Sequence, residues 1–254
     1  MPWNPDIYNQ YKSERAAPFY DLLALVKPAN NMQVTDLGCG TGELTRTLAN
    51  KLPGALVTGI DFSKEMLAKA AALENERLCF KINTIEAQLS SNEKWDLIFS
   101  NAAIQWVDDH EHLFPRLVSA LNKGGQLAVQ MPAQHHNITN IILNKLADEP
   151  PFKQQLKEFK RISPVLNTDR YASILFENGA KTITVFEKIY PLILPDTFAL
   201  YNWVSGTALI PYIEKLEGDS REIFVRSYQK RLDEYFKEEP VFYPFKRILI
   251  HAEF

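Results

Sequence analysis

Residues 34–45 read VTDLGCGTGELT: a branched apolar run, three glycines at alternate positions, then residues that favour a helix. A strand that turns through glycines directly into a helix is the opening unit of a parallel α/β sheet, and the chain goes on alternating. QVTDLG, ALVTGID, LCFKIN, WDLIFSN and QLAVQMP read as five strands. Helical spacing of apolar residues fills the intervals at 14–26, 43–52 and 110–122. SKEMLAKAAAL adds another helix, with Ser63 as its N-cap, and Gly124-Gly125 closes the helix that starts at residue 110. The strands are apolar on both faces, so the expected sheet is covered by helices on both sides. Its ligand should then lie beyond the carboxyl ends of the strands, where the strand order reverses.

The second half is less regular and richer in proline. NITNIILNKLADEP and YASILFEN read as helices, the latter capped by Gly179. KTITVFEKIYPLIL is a long β-like run, residues 196–237 are mainly helical, and RILIHAEF alternates as a closing strand. The expectation is one α/β sheet whose last strands are interrupted by a helical insertion.

Charge narrows the function classes. With 28 basic and 31 acidic residues, net −3, the chain has no nucleic-acid patch and no polybasic membrane face. The start, MPWNPDIYNQYKSER, has no apolar signal core, and no window approaches a membrane span. Cys39 and Cys79 are far apart and read as reduced thiols. The expectation is a soluble, cytoplasmic, monomeric protein.

The glycine loop carries the chemistry. A loop built for phosphate offers backbone N–H groups and a helix N-terminus to negative charge, yet Asp36 stands immediately before this one. The spacing is G-x-G-x-G (Gly38, Gly40, Gly42) rather than the dinucleotide G-x-G-x-x-G. S-adenosylmethionine fits both departures, because it carries no phosphate but has a sulfonium and an ammonium. Asp61, nineteen positions after Gly42 at the end of the second strand, can accept from both ribose hydroxyls. NAD enzymes use the same device, so Asp36 and the shortened spacing choose the cofactor. The alternative is a strand-to-helix turn whose glycines serve geometry alone, with Cys39 simply a small side chain within it.

On these residues the chain resembles the class I S-adenosylmethionine-dependent methyltransferases. DLGCGTGELT looks like their first motif, GIDFSKEML their second, KINTIEA their third and FSNAAIQWVDDH their fourth. The resemblance implies that Phe62 and Met66 approach the adenine, that Asn83 with Thr84 stands where an aspartate usually meets the adenine amine, and that Asn101 and Ala102 pass the methionine part. WNPDIYNQYKSERAAPFYDLL, NAAIQWVDDHEHLFPRL, GGQLAVQMP and NWVSGTALIPYIEKL together resemble the trans-aconitate methyltransferase family over almost the whole chain. That implies a Rossmann-like sheet, mostly parallel with the last strand antiparallel, within a single domain. Residues 1–29 would form a helical lid, 30–132 the cofactor-binding core, and 133–254 the remaining strands with a helical cap at about 196–240. AQHHNIT and FYPFKRILI depart from the family pattern where a substrate pocket is tuned.

The expected acceptor is a small carboxylic acid. A carboxylate is already ionised at neutral pH, so methyl transfer to it requires no general base, and no catalytic residue is assigned. Candidates to hold it are Tyr8, Tyr11, Arg15, Trp106, Trp203, Thr207 and Arg247, since guanidinium forks and aromatic donors suit carboxylates. Tyr8 and Tyr11 also read as packing, Trp203 as core, and Arg247 as a surface residue paired with an acid. His135-His136 has no third ligand at metal spacing, so no metal is expected. Other readings are a methyltransferase for a carrier-bound acyl chain, a regulator that binds cofactor without turnover and, most distantly, a dehydrogenase.

Overall fold

The computed structural model describes residues 12–159, 163–206 and 208–254, with side chains from residue 16 onward. In chain order the elements are α1 (Lys12–Leu25), β1 (Gln33–Leu37), α2 (Glu43–Lys51), β2 (Leu56–Asp61), α3 (Lys64–Ala70) and β3 (Leu78–Ile82). There follow α4 (Ile85–Gln88), β4 (Trp95–Asn101), α5 (His110–Ser119), β5 (Leu121–Pro132), α6 (Ile138–Ala147) and α7 (Phe152–Gln155). The last are α8 (Thr168–Glu177), β6 (Thr182–Leu194), α9 (Thr197–Ser205), α10 (Ile210–Ile213), α11 (Gly218–Tyr235) and β7 (Val241–Glu253).

The chain forms two compact units. The sheet unit comprises Ala16–Pro132, Pro164–Lys188 and Arg247–Phe254. The strand order is β3-β2-β1-β4-β5-β7-β6. Strands β1 to β5 pair in parallel, and β7 runs antiparallel to β5, with Arg247 opposite Pro132 and Ile250 opposite Val129. This is the mixed sheet expected of the class I architecture. The order reverses between β1 and β4, which are neighbours, so the crevice at a switch point lies past Leu37 and Asn101. The central strands are buried almost throughout, as their branched and aromatic composition demands. β3 departs from that expectation: Cys79, Lys81 and Ile82 are exposed because β3 is the outermost strand.

Local signals place the helices. Ser63 caps α3, its hydroxyl accepting from the Met66 N–H at 3.3 Å, and α8 stops at Gly179, which adopts φ +86°. The Gly124-Gly125 pair does something different from the expected helix stop. Helix α5 has already ended at Ser119, and Leu121 is paired with Trp95. The register then jumps from Trp95↔Leu121 to Leu97↔Gln126, so the glycines form an irregularity inside β5. Gly124 donates to the Phe254 carbonyl at 2.8 Å and Gly125 accepts from the Phe254 N–H at 3.0 Å. Glycines tolerate such a bulge where side chains would crowd.

The second unit contains Ala133–Ser163 and Ile189–Lys246. Its core joins Leu143 and Leu146 of α6, Trp203 of α9, Phe224 and Tyr228 of α11, and Tyr243 of β7. Aromatic edges hold it together, Phe152 against Phe224 at 4.9 Å and Trp203 against Phe245 at 6.0 Å between centroids. Among the described residues no helix is long and apolar enough to cross a membrane.

Candidate active site

At the end of β1 the chain enters the glycine loop. The N–H groups of Gly38 and Cys39 both donate to the Ile60 carbonyl at 2.9 Å, tying the loop to β2. Gly40 and Gly42 have positive φ (+56° and +77°), which L side chains rarely adopt. Their surroundings differ. A Cβ on Gly42 would lie 2.6 Å from Phe80 and 2.9 Å from Ala70, whereas a Cβ on Gly40 would meet nothing of the protein within 4 Å. Gly42 therefore packs α2 against β3 and α3, and Gly40 borders open space. The Cys39 side chain is buried beside Leu67 and Ala70. Burial, then the nearby carboxylates of Asp36 and Asp61, push its thiol pKa far up, so it stays protonated.

Two carboxylates flank the loop. Asp36 is 4 % exposed and accepts from the Thr45 hydroxyl at 2.6 Å. Burial raises its pKa to about 6; the Thr45 bond opposes that rise and the charge of Asp61 adds to it. It is therefore ionised at neutral pH, at a cost that a nearby cation relieves. Asp61 accepts from the Gly40 N–H on one oxygen and the Ser63 N–H on the other, each at 2.9 Å. Each oxygen keeps a lone pair for a further donor. Beyond it Phe62 is 77 % exposed and Met66 is exposed as well, leaving apolar surface at the ends of the strands. Asn83 and Thr84 start α4. The Asn83 side-chain oxygen accepts from the Thr84 N–H at 3.0 Å, its amide donates to Gln88 at 2.9 Å, and the Thr84 hydroxyl accepts from Ala87.

Across the switch point, β4 ends in a strained turn. Ala102 has φ +55°, its N–H donates to the Gln130 carbonyl at 2.8 Å, and its carbonyl accepts from the Gln105 side chain at 2.7 Å. His110 holds this turn from behind, bonding the Ile104 carbonyl through Nε2 at 2.9 Å and the Tyr171 hydroxyl through Nδ1. The Ile104 carbonyl can only accept, so Nε2 carries the ring proton, and Nδ1 of the neutral ring accepts from the Tyr171 hydroxyl, whose oxygen also accepts from the Leu166 N–H. Burial lowers the His110 pKa and keeps the ring neutral. Trp106, at the tip of the turn, is 51 % exposed. Arg247 at 9 % exposure donates through Nη1 to the Gln130 side-chain oxygen at 3.0 Å.

Of the expected acceptor residues, Trp106 and Arg247 belong to the sheet unit. Trp203 belongs to the second unit, where its ring is part of the buried core. Tyr8, Tyr11 and Thr207 lie outside the described residues, as does the side chain of Arg15. His135 and His136 are exposed, and no group of three metal-ligating side chains occurs among the described residues. Sequence reasoning missed Gln105 and Gln130, both buried. The one available signal for Gln130 was a lone amide in the apolar run LAVQMP.

Comparison with known proteins agrees with this geometry. The family described as "Methyltransferase domain" matches residues 28–179. A trans-aconitate 2-methyltransferase from Deinococcus radiodurans is 43% identical over 99% of this chain and 98% of its own length. One from Variovorax paradoxus is 36% identical over 98% of this chain and 95% of its own length. Among solved structures, a phosphoethanolamine N-methyltransferase from Haemonchus contortus, in complex with phosphomonomethylethanolamine and S-adenosylhomocysteine, matches with TM-score 0.56 at 18% identity. That match covers 95% of this chain, which spans about half (52%) of the Haemonchus protein, and it shows the shared fold. The sheet order and glycine loop thus define a methyltransferase of the class I fold. Within that class, the chain belongs to the trans-aconitate 2-methyltransferase family.

The cofactor of this class is S-adenosylmethionine, and the residues present fit it. Gly40 borders open space, Asp61 has lone pairs left, and the Asn101 side-chain oxygen is buried with no hydrogen-bond partner among the described residues. The Asp36 carboxylate beside the loop suits the cationic end.

Proposed function

We propose that the chain methylates a carboxylate of trans-aconitate or of a similar small polycarboxylate. The observation that carries this reading is Arg247, a guanidinium nearly buried beside the ends of β4 and β5. Full-length kinship with relatives bearing the trans-aconitate name supports it. Bound S-adenosylmethionine supplies an electrophilic methyl group on sulfur. Asp36, Gly38, Cys39 (through its backbone), Gly40, Gly42, Asp61, Phe62, Met66, Asn83, Thr84, Asn101 and Ala102 are the proposed cofactor residues, within the 30–132 core. Asp61 both shapes the loop and receives the ribose; Phe62 and Met66 offer the adenine an apolar face.

Arg247 and Trp106 are the proposed acceptor residues of the sheet unit. The acceptor carboxylate arrives ionised, and the residues at this edge (Asn101, Gln105, Trp106, Gln130, Arg247) include no group suited to act as a base at neutral pH. Catalysis then rests on orientation and on exclusion of water. The chain acts as a cytoplasmic monomer in this reading, and its free cysteines suit a reducing compartment. The test is transfer of labelled methyl from S-adenosylmethionine to a panel of mono-, di- and tricarboxylic acids, read as base-labile ester. Absence of transfer to every acid would sink the reading.

A further inference from the structure

Gln130 lies on β5, opposite Asn101 of β4 on one side and Leu249 of β7 on the other, and its side chain is wholly buried. Its neighbours in the strand, Val129 and Met131, are apolar. The orientation of its amide is fixed by chemistry. The Arg247 guanidinium can only donate, so the atom 3.0 Å from Nη1 is the amide oxygen. The amide nitrogen must therefore point elsewhere, and it has no hydrogen-bond partner among the described residues. Gln105 shows the complementary case: its nitrogen donates to the Ala102 carbonyl, and its buried oxygen has no partner among the described residues. Leaving a buried donor unsatisfied is costly.

We infer that Gln130 is a specificity-determining residue for the acceptor, its amide N–H binding a carboxylate oxygen next to the Arg247 guanidinium. The inference rests on the proposed carboxyl methylation and deepens it. A carboxylate accepts on both oxygens and donates on neither, so an amide N–H bonded to a guanidinium forms a receptor for such a group. The Gln105 oxygen makes the opposite demand. It needs a donor, which an ionised carboxylate lacks and the ammonium of the cofactor's amino-acid end provides. These two atoms thus differ in polarity, a donor on the acceptor side at Gln130 and an acceptor on the cofactor side at Gln105. The arrangement favours acids with a carboxylate to spare, one held by Gln130 and Arg247 while another is methylated.

The test uses the full chain saturated with S-adenosylhomocysteine and titrated with trans-aconitate. The side-chain amide of Gln130, followed in wild type by nitrogen-15 NMR, should shift on addition of the acid and stay in place when S-adenosylhomocysteine alone is added. Gln130→Met should raise the acceptor KM at least tenfold and leave the S-adenosylhomocysteine Kd within twofold. An amide that ignores the acid while wild type turns it over overturns the inference and spares the proposed function. So does a variant that loses cofactor affinity as much as acceptor affinity. A wild-type protein that neither binds nor methylates any carboxylic acid overturns both. If Gln130→Met fails to fold, the wild-type amide signal decides alone.

Discussion

The two sides of the switch point are built in opposite ways. On the β1–β2 side the surface beyond Asp61 is open: Asp61 is bonded to backbone on both oxygens, Phe62 and Met66 are exposed, and the buried Asp36 has the Thr45 hydroxyl as its partner. On the β4–β5–β7 side the polar groups are buried, and Asn101, Gln105 and Gln130 each keep an atom without a partner among the described residues. A large cofactor can be recognised by backbone shape and apolar faces, for which accessibility is enough. A small anion has little surface to bury, so its recognition depends on donors that already stand in a dry place. The contrast predicts that cofactor affinity and acceptor affinity respond to separate sets of residues.

The largest effect should come from the dry side. Arg247→Ala should raise the KM for a tricarboxylic acid roughly a hundredfold, about 3 kcal/mol for a charged hydrogen bond lost in a buried place. The S-adenosylhomocysteine Kd should stay put, and Arg247→Lys should recover part of the loss because the fork is gone. Steady-state kinetics with calorimetry would show it; an unchanged acceptor KM removes Arg247 from the site.

Next comes Asp36, where the sign of the effect is unusual. Its folded pKa, about 6, lies above the ordinary value of 3.8. The folded state therefore holds the proton more tightly than the unfolded state, and stability present below about pH 4 is lost as the pH rises through about 6. Two pKa units set a ceiling of about 3 kcal/mol. Asp36→Asn keeps an acceptor for Thr45, so without cofactor it should match wild type in urea titrations near pH 4 and exceed it at pH 7. Its cofactor affinity should fall, because a charge facing the cation is gone. Parallel stability curves across that pH range would contradict the burial argument.

Asp61→Ala should weaken S-adenosylhomocysteine by roughly thirtyfold, about 2 kcal/mol, with acceptor KM at saturating cofactor nearly unchanged. Equal damage to both constants would mean that the two sides are not separable. The smallest and sharpest comparison lies within the loop. Gly42→Ala drives a methyl into Phe80 and Ala70 and should lower thermal stability by about 2 kcal/mol. Gly40→Ala meets only open space and should cost about 1 kcal/mol for its positive φ, yet weaken cofactor binding more than Gly42→Ala does. The reverse ranking in calorimetry would move the cofactor away from Gly40.

What the sequence determined by itself was everything written in contiguous windows. Alternation of apolar runs and helical spacings specified the α/β sheet, Ser63 announced the start of α3, and Gly38 to Gly42 with Asp61 marked one loop and one strand end. These features depend on neighbours a few residues apart, where backbone geometry and capping act directly. Windows misled where a residue answers to a distant partner. Gly124-Gly125 reads locally as a helix stop, but pairing with the chain end at Phe254 makes it a strand irregularity. Gln130 gave almost no local sign. Its partner Arg247 is 117 positions away, brought alongside only because β7 runs antiparallel next to β5. Strand register alone decides which side chains share a buried face, and register between distant strands is a property of the packed sheet. For that reason the cofactor loop was legible in one dimension, whereas the buried pair of Gln130 and Arg247 exists only in three.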